Sequence, residues 1–260
     1  MRTALIDADV FLYTAASANE YECRWDEWLH TLHADLPSAI AQFQDTVGTI
    51  TEDLQADRVI MALTDSVNWR KSVMPAYKSQ RAKTRKPVIY KALREWVAEH
   101  YDVFQRPGLE GDDVLGILST GCTVKGERII VSLDKDMQSI PGLLLNDNHA
   151  RKGMAVDKAT TYVDYVKEVT TEQADYFHAM QTLTGDTTDG YPGCPGVGPV
   201  KAAKLLEGAT PEERWPRIVA AYAKVGLSEE VALQNARVAR ILRSSDFNFE
   251  RKEPKLWSPS

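Results

Sequence analysis

The stretch RTALIDADVFLY, Arg2 to Tyr13, decides the reading of this chain. A short, unbroken apolar run stops on an aspartate, the pattern of a strand buried on both faces of a parallel sheet. The pattern returns in RVIMALTD, Arg58 to Asp65, and in ERIIVSLDKD, whose strand spans Glu127 to Leu133. DVFQR reads as a weaker strand and GLLLND as a further one. Between them, Ile40, Phe43, Val47, Ile50 and Leu54 step by four and three from Leu36, with Pro37 in the first turn of that helix. EGDDVLGIL opens another helix at Gly111. Strands alternating with helices predict an α/β fold, a central, mostly parallel sheet flanked by helices. Such sheets bind ligands beyond the carboxyl ends of their strands. To that edge three strands deliver Asp7, Asp65 and Asp134.

Beyond about residue 165 the pattern turns helical. Thr170 to Thr184 carries a capping box, Thr170 with Gln173. Further helices are expected over Pro211 to Lys224 and Ser228 to Arg243, and the tail RKEPKLWSPS reads as loose. The division expected is a core over residues 1–165 and a helical region over 166–260.

A net charge of −6 sets bulk electrostatics against nucleic acid, so any such role needs a local basic patch. Cys23, Cys122 and Cys194 form no CxxC pair, which argues against a zinc knuckle or disulfide framework and fits a reducing cytoplasm. No run approaches the ~18 apolar residues of a membrane span. The five histidines lack partners at ligand spacing and read as ordinary surface or half-buried residues.

Carboxylates arrive in groups: Asp7 with Asp9, Asp65, Glu110 with Asp112 and Asp113, Asp134 with Asp136, Asp186 with Asp189. Two unit charges ~5 Å apart repel by roughly 3 kcal/mol at an effective dielectric of ~20. A shared edge must therefore be spread out, partly protonated or neutralised by cations. Oxygen donors without histidine or cysteine favour Mg²⁺ or Mn²⁺, and the surplus of carboxylates points to two ions, the arrangement that clamps a phosphodiester during cleavage. Taken singly, each group has a plain structural reading: Asp112 and Asp113 suit a helix N-terminus, Asp186 and Asp189 a turn.

From Arg70 to Arg94 the chain has nine Lys or Arg and no Asp or Glu: Arg70, Lys71, Lys78, Arg81, Lys83, Arg85 and Lys86, then Lys91 and Arg94. Trp69, Tyr77 and Tyr90 interleave them as faces on which bases could stack. Lys78 and Arg81 would point the same way on a helix and could steady a scissile phosphate. The plain alternative is a solvated charged face. GCPGVGPVKAAKLL reads as a helix-hairpin-helix over about 185–207. Gly196 and Gly198 let the backbone approach a phosphate, the helix from Pro199 aims N–H groups at it, and Lys201 and Lys204 reach neighbouring phosphates without reading bases.

LIDADVFLY, TDSVNWRKSVMPAYKSQR, LEGDDVLG, SLDKDMQSI and TGDTTDGYPGCPGVGPVKAAKLL follow in order over residues 5–206. Together they resemble the 5′-nuclease superfamily of flap endonucleases and 5′→3′ exonucleases, and around Asp65 most nearly the gene-six-type exonucleases of short-tailed bacteriophages. The resemblance implies a metal-dependent nuclease core, a helical arch built from the basic run over about 66–100, and a helix-three-turn-helix carrying K⁺. By motif, Asp7, Asp65, Glu110 and Asp112 would serve one Mg²⁺ or Mn²⁺, with Asp113 bridging or just behind them. Asp134, Asp136 and Asp189 would serve the other, with Asp186 nearby. Lys78 and Arg81 match arch residues that face the scissile phosphate, and Tyr77 an aromatic for the terminal base. The activity implied is 5′→3′ hydrolysis of DNA at ends, flaps or nicks, with RNA–DNA hybrids as further substrates, by a monomer in the cytoplasm, the host's if the chain is phage-encoded. The sequence departs from the family at Ala8-Asp9, where glycine commonly follows the first aspartate, and at Glu20 to His30, which has no evident counterpart.

Two rivals remain open on sequence. LIDADV superficially fits an aspartate-nucleophile phosphatase, with Asp7 as nucleophile and Asp9 as general acid. A binder of branched DNA that lost its chemistry is the other, although every matched carboxylate is present.

Overall fold

The structure, a computed structural model, describes residues 1–259 except the side chains of residues 82 and 83. Its strands are β1 (Arg2–Asp7), β2 (Glu20–Arg24), β3 (His30–Ala34), β4 (Arg58–Ala62), β5 (Val103–Phe104), β6 (Glu127–Ser132), β7 (Gly142–Asn146), β8 (Val166–Val169) and a short antiparallel pair, β9 (Phe247–Asn248) and β10 (Glu253–Pro254). Six form one sheet in the order β5-β4-β1-β6-β7-β8. All its pairings are parallel except β7 with β8. β1 lies between β4 and β6, Leu5 registering with Ile60 on one side and Ile130 on the other. The apolar runs that nominated these strands are the ones buried on both faces.

Strand alternation divides the core in two. Ala4, Ile6, Met61, Ile129 and Val131 face one cluster, shared with α1 (Ala8–Ala18), α2 (Leu36–Asp53) and, after a one-turn α3 (Arg70–Val73), α4 (Tyr90–His100). Leu5, Ile60, Ala62 and Ile130 face the other, covered by Val114, Leu115 and Leu118 of α5 (Gly111–Thr120). Fully burying one such aliphatic side chain contributes roughly 1.5–3 kcal/mol, so both layers hold the C-terminal edge of the sheet firmly. The predicted helix starts are found in place: Asp35 caps α2 by accepting from the Ser38 N–H, and Pro37 sits in its first turn.

After α6 (Asp147–Val156) come α7 (Thr171–Thr184), α8 (Pro199–Leu206), α9 (Pro211–Lys224) and α10 (Glu229–Ala239). The Thr170–Gln173 capping box is formed. Leu183, Cys194, Val197, Leu206, Ile218 and Tyr222 make a third apolar cluster beneath the helix-hairpin-helix. There Gly185 (φ 66°) and Gly193 (φ 64°) are pressed together, and a Cβ on Gly193 would lie 2.2 Å from the Gly185 nitrogen. Left-handed backbone and this approach both require glycine.

Two expectations are corrected. α10 ends at Ala239, not Arg243, because the chain straightens to run beside α5, where the Leu242 N–H donates to Asp113 Oδ1 at 3.1 Å. The tail is docked, not loose. Trp257 packs against His178 and Trp215 at 5.1 and 5.3 Å between ring centroids, and its carbonyl accepts from Arg237. The segment from Glu20, unplaced by the resemblance, forms the separate β2–β3 hairpin, with Trp28 90% exposed near its tip.

Candidate active site

The site is built where β1 and β6 end. Asp7, the last residue of β1, is 2% exposed and accepts from the Ser132 hydroxyl at 2.6 Å. The Asp134 N–H donates to that same hydroxyl, so one serine couples the ends of two strands. Asp134 in turn accepts from the Asp136 N–H at 2.9 Å and caps the 3-10 turn Lys135–Ser139. Asp112 stands in the first turn of α5, whose N-terminus points at the same edge.

Among the described residues Asp7, Asp112 and Asp136 have no ion-pair partner, and their acidities show it. Burial first, then the charges of Asp9 and Asp134, push Asp7 up to about 7 despite the Ser132 hydrogen bond. Burial and the charge of Asp7 raise Asp112 well above the carboxylate range. Asp136 is pushed up to about 7 by burial and by Asp134, and its Oδ1 is buried with no hydrogen-bond partner. An unpaired buried carboxylate is unstable as an anion unless it takes up a proton or a cation.

The opposite wall is the loop Asp186–Asp189 at the mouth of the helix-hairpin-helix. Asp186 folds the loop by accepting from the Thr188 N–H at 2.7 Å. Across this wall and the acidic edge runs the basic stretch, as α3, a 3-10 turn Ser79–Lys83 and α4. Lys78 has φ 53°, so it is not helical, yet its ammonium reaches Glu110 Oε1 at 2.6 Å and Asp189 Oδ2 at 3.4 Å. Arg81 reaches Asp189 Oδ1 at 2.6 Å. The predicted convergence of these two residues is thus achieved by a left-handed turn in place of a helix face. Burial disfavours the Lys78 ammonium, but Glu110 and Asp189 outweigh it and hold the charge.

Four residues predicted from the sequence are placed differently. Arg70 does not reach toward DNA: it is 2% exposed, and its guanidinium binds Asp113 at 2.7 and 2.8 Å, Glu110 at 2.9 Å, and the carbonyls of Val238 and Arg240. Asp113 is fully buried, and Arg70, the Trp69 indole and the Leu242 N–H use both its oxygens, leaving nothing for a metal. Asp65 ties the loop after β4 to the loop after β5, accepting from the Gly108 N–H at 2.9 Å and from Gln105 at 3.1 Å. Tyr77, read as a stacking face, is 2% exposed and donates its hydroxyl to Asp189 at 2.8 Å. Glu110 belongs to both groups: burial would raise its carboxyl, but Arg70 and Lys78 bring it down to about 2.

Of the remaining basic residues, Lys71 is exposed, Arg85 pairs with Glu20 at 3.0 Å, and Lys86 lies 4.4 Å over the Tyr90 ring. The Lys83 side chain lies outside the described residues. Lys201 and Lys204 share the exposed side of α8, and Lys201 donates to the Gly196 carbonyl at 3.2 Å. Gly196 has φ 72° and open space around it, and Gly198 is likewise uncrowded. Sequence reasoning missed Ser132 and Gln80, which donates to the Thr187 carbonyl at 2.7 Å. Serine and glutamine carry no charge pattern that would single them out.

A family model for the 5′-3′ exonuclease N-terminal resolvase-like domain matches residues 2–173. The chain belongs to the 5′-3′ exonuclease family. It is a 5′-3′ nuclease, and the relatives agree along its whole length. The exodeoxyribonuclease of Enterobacteria phage T3 is 31% identical over 98% of this chain and 92% of its own. The exonuclease of Escherichia phage T7 is 30% identical over 98% and 93%. In fold the chain is similar to the flap endonuclease of bacteriophage T5, solved with DNA and metal ions, with a TM-score of 0.63 at 13% identity over 92% of this chain and 89% of that one. The phosphatase alternative finds no support. Asp9 is committed elsewhere, accepting from the Thr64 N–H and the Tyr90 hydroxyl, each at 2.7 Å. Among the described residues no helix is long and apolar enough to cross a membrane.

Proposed function

We propose that this nuclease depends on divalent metal and hydrolyses phosphodiester bonds at the 5′ ends, flaps or nicks of duplex DNA. One observation carries the reading: Asp7 is buried and Asp112 and Asp136 are half-buried beyond the carboxyl ends of the strands, and burial together with neighbouring carboxylates raises all three. The donor set is all oxygen, which fits hard ions such as Mg²⁺ or Mn²⁺. Asp7, Asp112 and Glu110 would hold one ion, and Asp134, Asp136, Asp186 and Asp189 a second. Among the described residues no three of these groups close on a single point; Lys78 bridges Glu110 and Asp189, and Arg81 pairs with Asp189. When bound, the ions supply charge neutralisation at the phosphodiester and make water easier to deprotonate.

The chain's own residues do the rest. Lys78 and Arg81 stand on the carboxylates that the ions would take, and release from them turns both cations toward the phosphate to steady charge developing on its oxygens. The N-terminus of α8 with Gly196, Gly198, Lys201 and Lys204 would grip the duplex backbone, so cleavage is set by the position of an end and not by sequence. Lys71, Arg85 and Lys86, exposed cations of the basic run, would track the strand beyond it. The family expectation of a K⁺ ion in the hairpin, of RNA–DNA hybrids as substrates, of a monomeric enzyme, and of work in phage DNA replication, recombination or repair in the host cytoplasm belongs to this reading. The expected division into a metal-bearing core over 1–165 and a DNA-gripping helical region over 166–260 belongs to this reading too, with the exception that β8 (Val166–Val169) completes the central sheet and Ile241 and Leu242 pack in the core.

The test is a 5′-labelled set of blunt, nicked, 5′-flap and RNA-primed duplexes, digested with Mg²⁺, with Mn²⁺ and with chelator. Cleavage restricted to 5′ ends and junctions, abolished by chelator and restored by either ion, is the expected result. Undiminished cleavage in chelator refutes it.

A further inference from the structure

Asp9, in the first turn of α1, has no part in the chemistry proposed above, yet its carboxylate is a junction. Oδ2 accepts from the Thr64 N–H and Oδ1 from the Tyr90 hydroxyl, with Arg94 Nε 4.0 Å from Oδ1. Thr64 extends the junction: its hydroxyl accepts from the Gly111 N–H at 2.9 Å and its carbonyl from Arg94 at 2.8 Å. Two side chains thus gather four segments, namely the start of α1, the loop after β4, the start of α5 and one side of α4. Tyr90 and Arg94 share that side of α4 because they are four residues apart.

Each arm of the junction ends beside a residue of the acidic edge. Asp9 is two residues from Asp7, Thr64 precedes Asp65, and Gly111 stands between Glu110 and Asp112. The arm to Tyr90 leads to the basic run. Tyr90 is 7% exposed and opens α4, and Lys86 lies 4.4 Å over its ring. Burial first, then the Asp9 charge, push the Tyr90 hydroxyl up, so it keeps its proton and donates it to the carboxylate. Hydrogen bonds to an ionised acceptor are about twice as strong as neutral ones. At the other end of the same stretch Arg70 of α3 is held by Asp113. Lys78 and Arg81 therefore sit on a segment pinned twice, each time to a carboxylate beside the acidic edge.

We infer that Asp9 is a positioning residue for the nuclease reaction: through Tyr90 it fixes α4, and with it the far end of the basic run, against the strand edge that carries Asp7. Without this pin the segment between Arg70 and Tyr90 has one fixed end, and its cations meet the phosphate out of register. A misplacement of about 1 Å can cost on the order of 10²-fold in rate. The inference rests on the nuclease activity of the family and not on which carboxylates hold metal.

Three variants of the full-length protein separate positioning from other roles. In Asp9→Asn the amide oxygen still accepts from the Thr64 N–H and the amide can bond the Tyr90 hydroxyl, so the junction survives the loss of charge. Asp9→Ala loses both arms, and Tyr90→Phe loses α4 alone. Single-turnover cleavage of a 5′-labelled nicked duplex, with Mg²⁺ and protein in saturating excess, reads the rate on folded, bound molecules. Asp9→Ala should slow it by about 10²-fold and Tyr90→Phe by about tenfold. The double variant should be no more than about twofold slower than Asp9→Ala, because both act through one contact. Asp9→Asn should stay within about threefold of wild type. The protein concentration for half-maximal rate should move less than about threefold in any of them, since the grip on the duplex lies elsewhere. Hydrogen exchange in chelator, without DNA, is the second readout: α4 amides should exchange about tenfold faster in Asp9→Ala and Tyr90→Phe, with α8 to α10 unchanged. If Asp9→Ala does not fold, judged by circular dichroism, Tyr90→Phe and Asp9→Asn carry the test. Tyr90→Phe cleaving like wild type, Asp9→Asn slowed more than Tyr90→Phe, or exchange raised throughout the molecule overturns the assignment.

Discussion

Asp112 and Asp113 are neighbours in the first turn of α5 and meet opposite fates. Asp113 is enclosed by its own chain: a bidentate guanidinium, an indole N–H and a backbone N–H spend both oxygens. Asp112 faces other carboxylates and is pushed well above the usual range by burial and by Asp7. A helix turns about 100° per residue, so adjacent positions look into different surroundings. A buried carboxylate completed from within is part of the scaffold. One left incomplete bears the repulsion of its neighbours, and under the proposed function it is the one that holds a place for a cation.

The sharpest way to break this contrast is to neutralise each aspartate in turn. Asp112→Asn should lower single-turnover cleavage of a 5′-labelled duplex by on the order of 10³-fold, with the melting temperature at or above that of wild type. Asp113→Asn should do the reverse in kind, costing stability first, with activity lost only through unfolding. Equal loss of activity by both variants at a temperature where both are folded would erase the distinction.

Removing the partner instead of the carboxylate comes next in size. Arg70→Gln leaves Asp113 and part of Glu110 buried without a counter-charge, a loss of about 3–5 kcal/mol by the usual behaviour of broken buried pairs. Urea unfolding followed by circular dichroism measures it. A cost below about 1 kcal/mol would place Arg70 among surface ion pairs, contrary to its enclosure.

A smaller effect, of opposite sign, is expected at the incomplete carboxylates. Asp136 has a folded value of about 7 against an ordinary 3.8, so the folded state holds the extra proton between those limits. Its contribution is therefore fully present below about pH 4 and is lost as pH rises through about 7. In chelator, Asp136→Asn removes that loss and should melt higher than wild type at pH 8, by on the order of 2 kcal/mol after allowance for partial exposure and shared protons. At pH 4 the two should coincide. With Mg²⁺ present the order at pH 8 should reverse, because wild type then gains from the ion.

Much of this was legible because the signals are local. The apolar run before Asp7, the Thr170–Gln173 box and the helix start at Pro211 each announce themselves within a few residues, and β1, α7 and α9 form where expected. The placing of Asp7 and Asp134 at the sheet's carboxyl edge was also legible, because they end or closely follow β1 and β6, whose direction the fold dictates. Arg70 was not. In a run of nine cations it resembles its neighbours, and only Asp113, 43 residues on, and the carbonyls of Val238 and Arg240 withdraw it from solvent. The early end of α10 and the docking of Trp257 are likewise decided by partners distant in sequence. Asp65 is a parallel case: its motif was clear, yet Gln105 and Gly108 in the loop after β5, about as far on in sequence, claim the side chain.

The finest test compares two cations that look alike in sequence and differ in place. Lys204 lies on the exposed side of α8 above a well-packed cluster, so Lys204→Gln should leave melting unchanged. If it meets one phosphate, the salt dependence of DNA binding should flatten by about 0.9 in the log–log slope, with a loss of a few-fold in affinity at moderate salt. Lys201 already donates to the Gly196 carbonyl, so its ammonium is held beside the glycine turn before DNA arrives. Lys201→Gln should therefore cost somewhat more affinity for the same change in slope, since the lost contact was pre-positioned. Fluorescence anisotropy of a labelled nicked duplex, in chelator and across a salt series, measures both. An unchanged slope in both variants would move the duplex off α8 and shift its grip to the cations of the basic run.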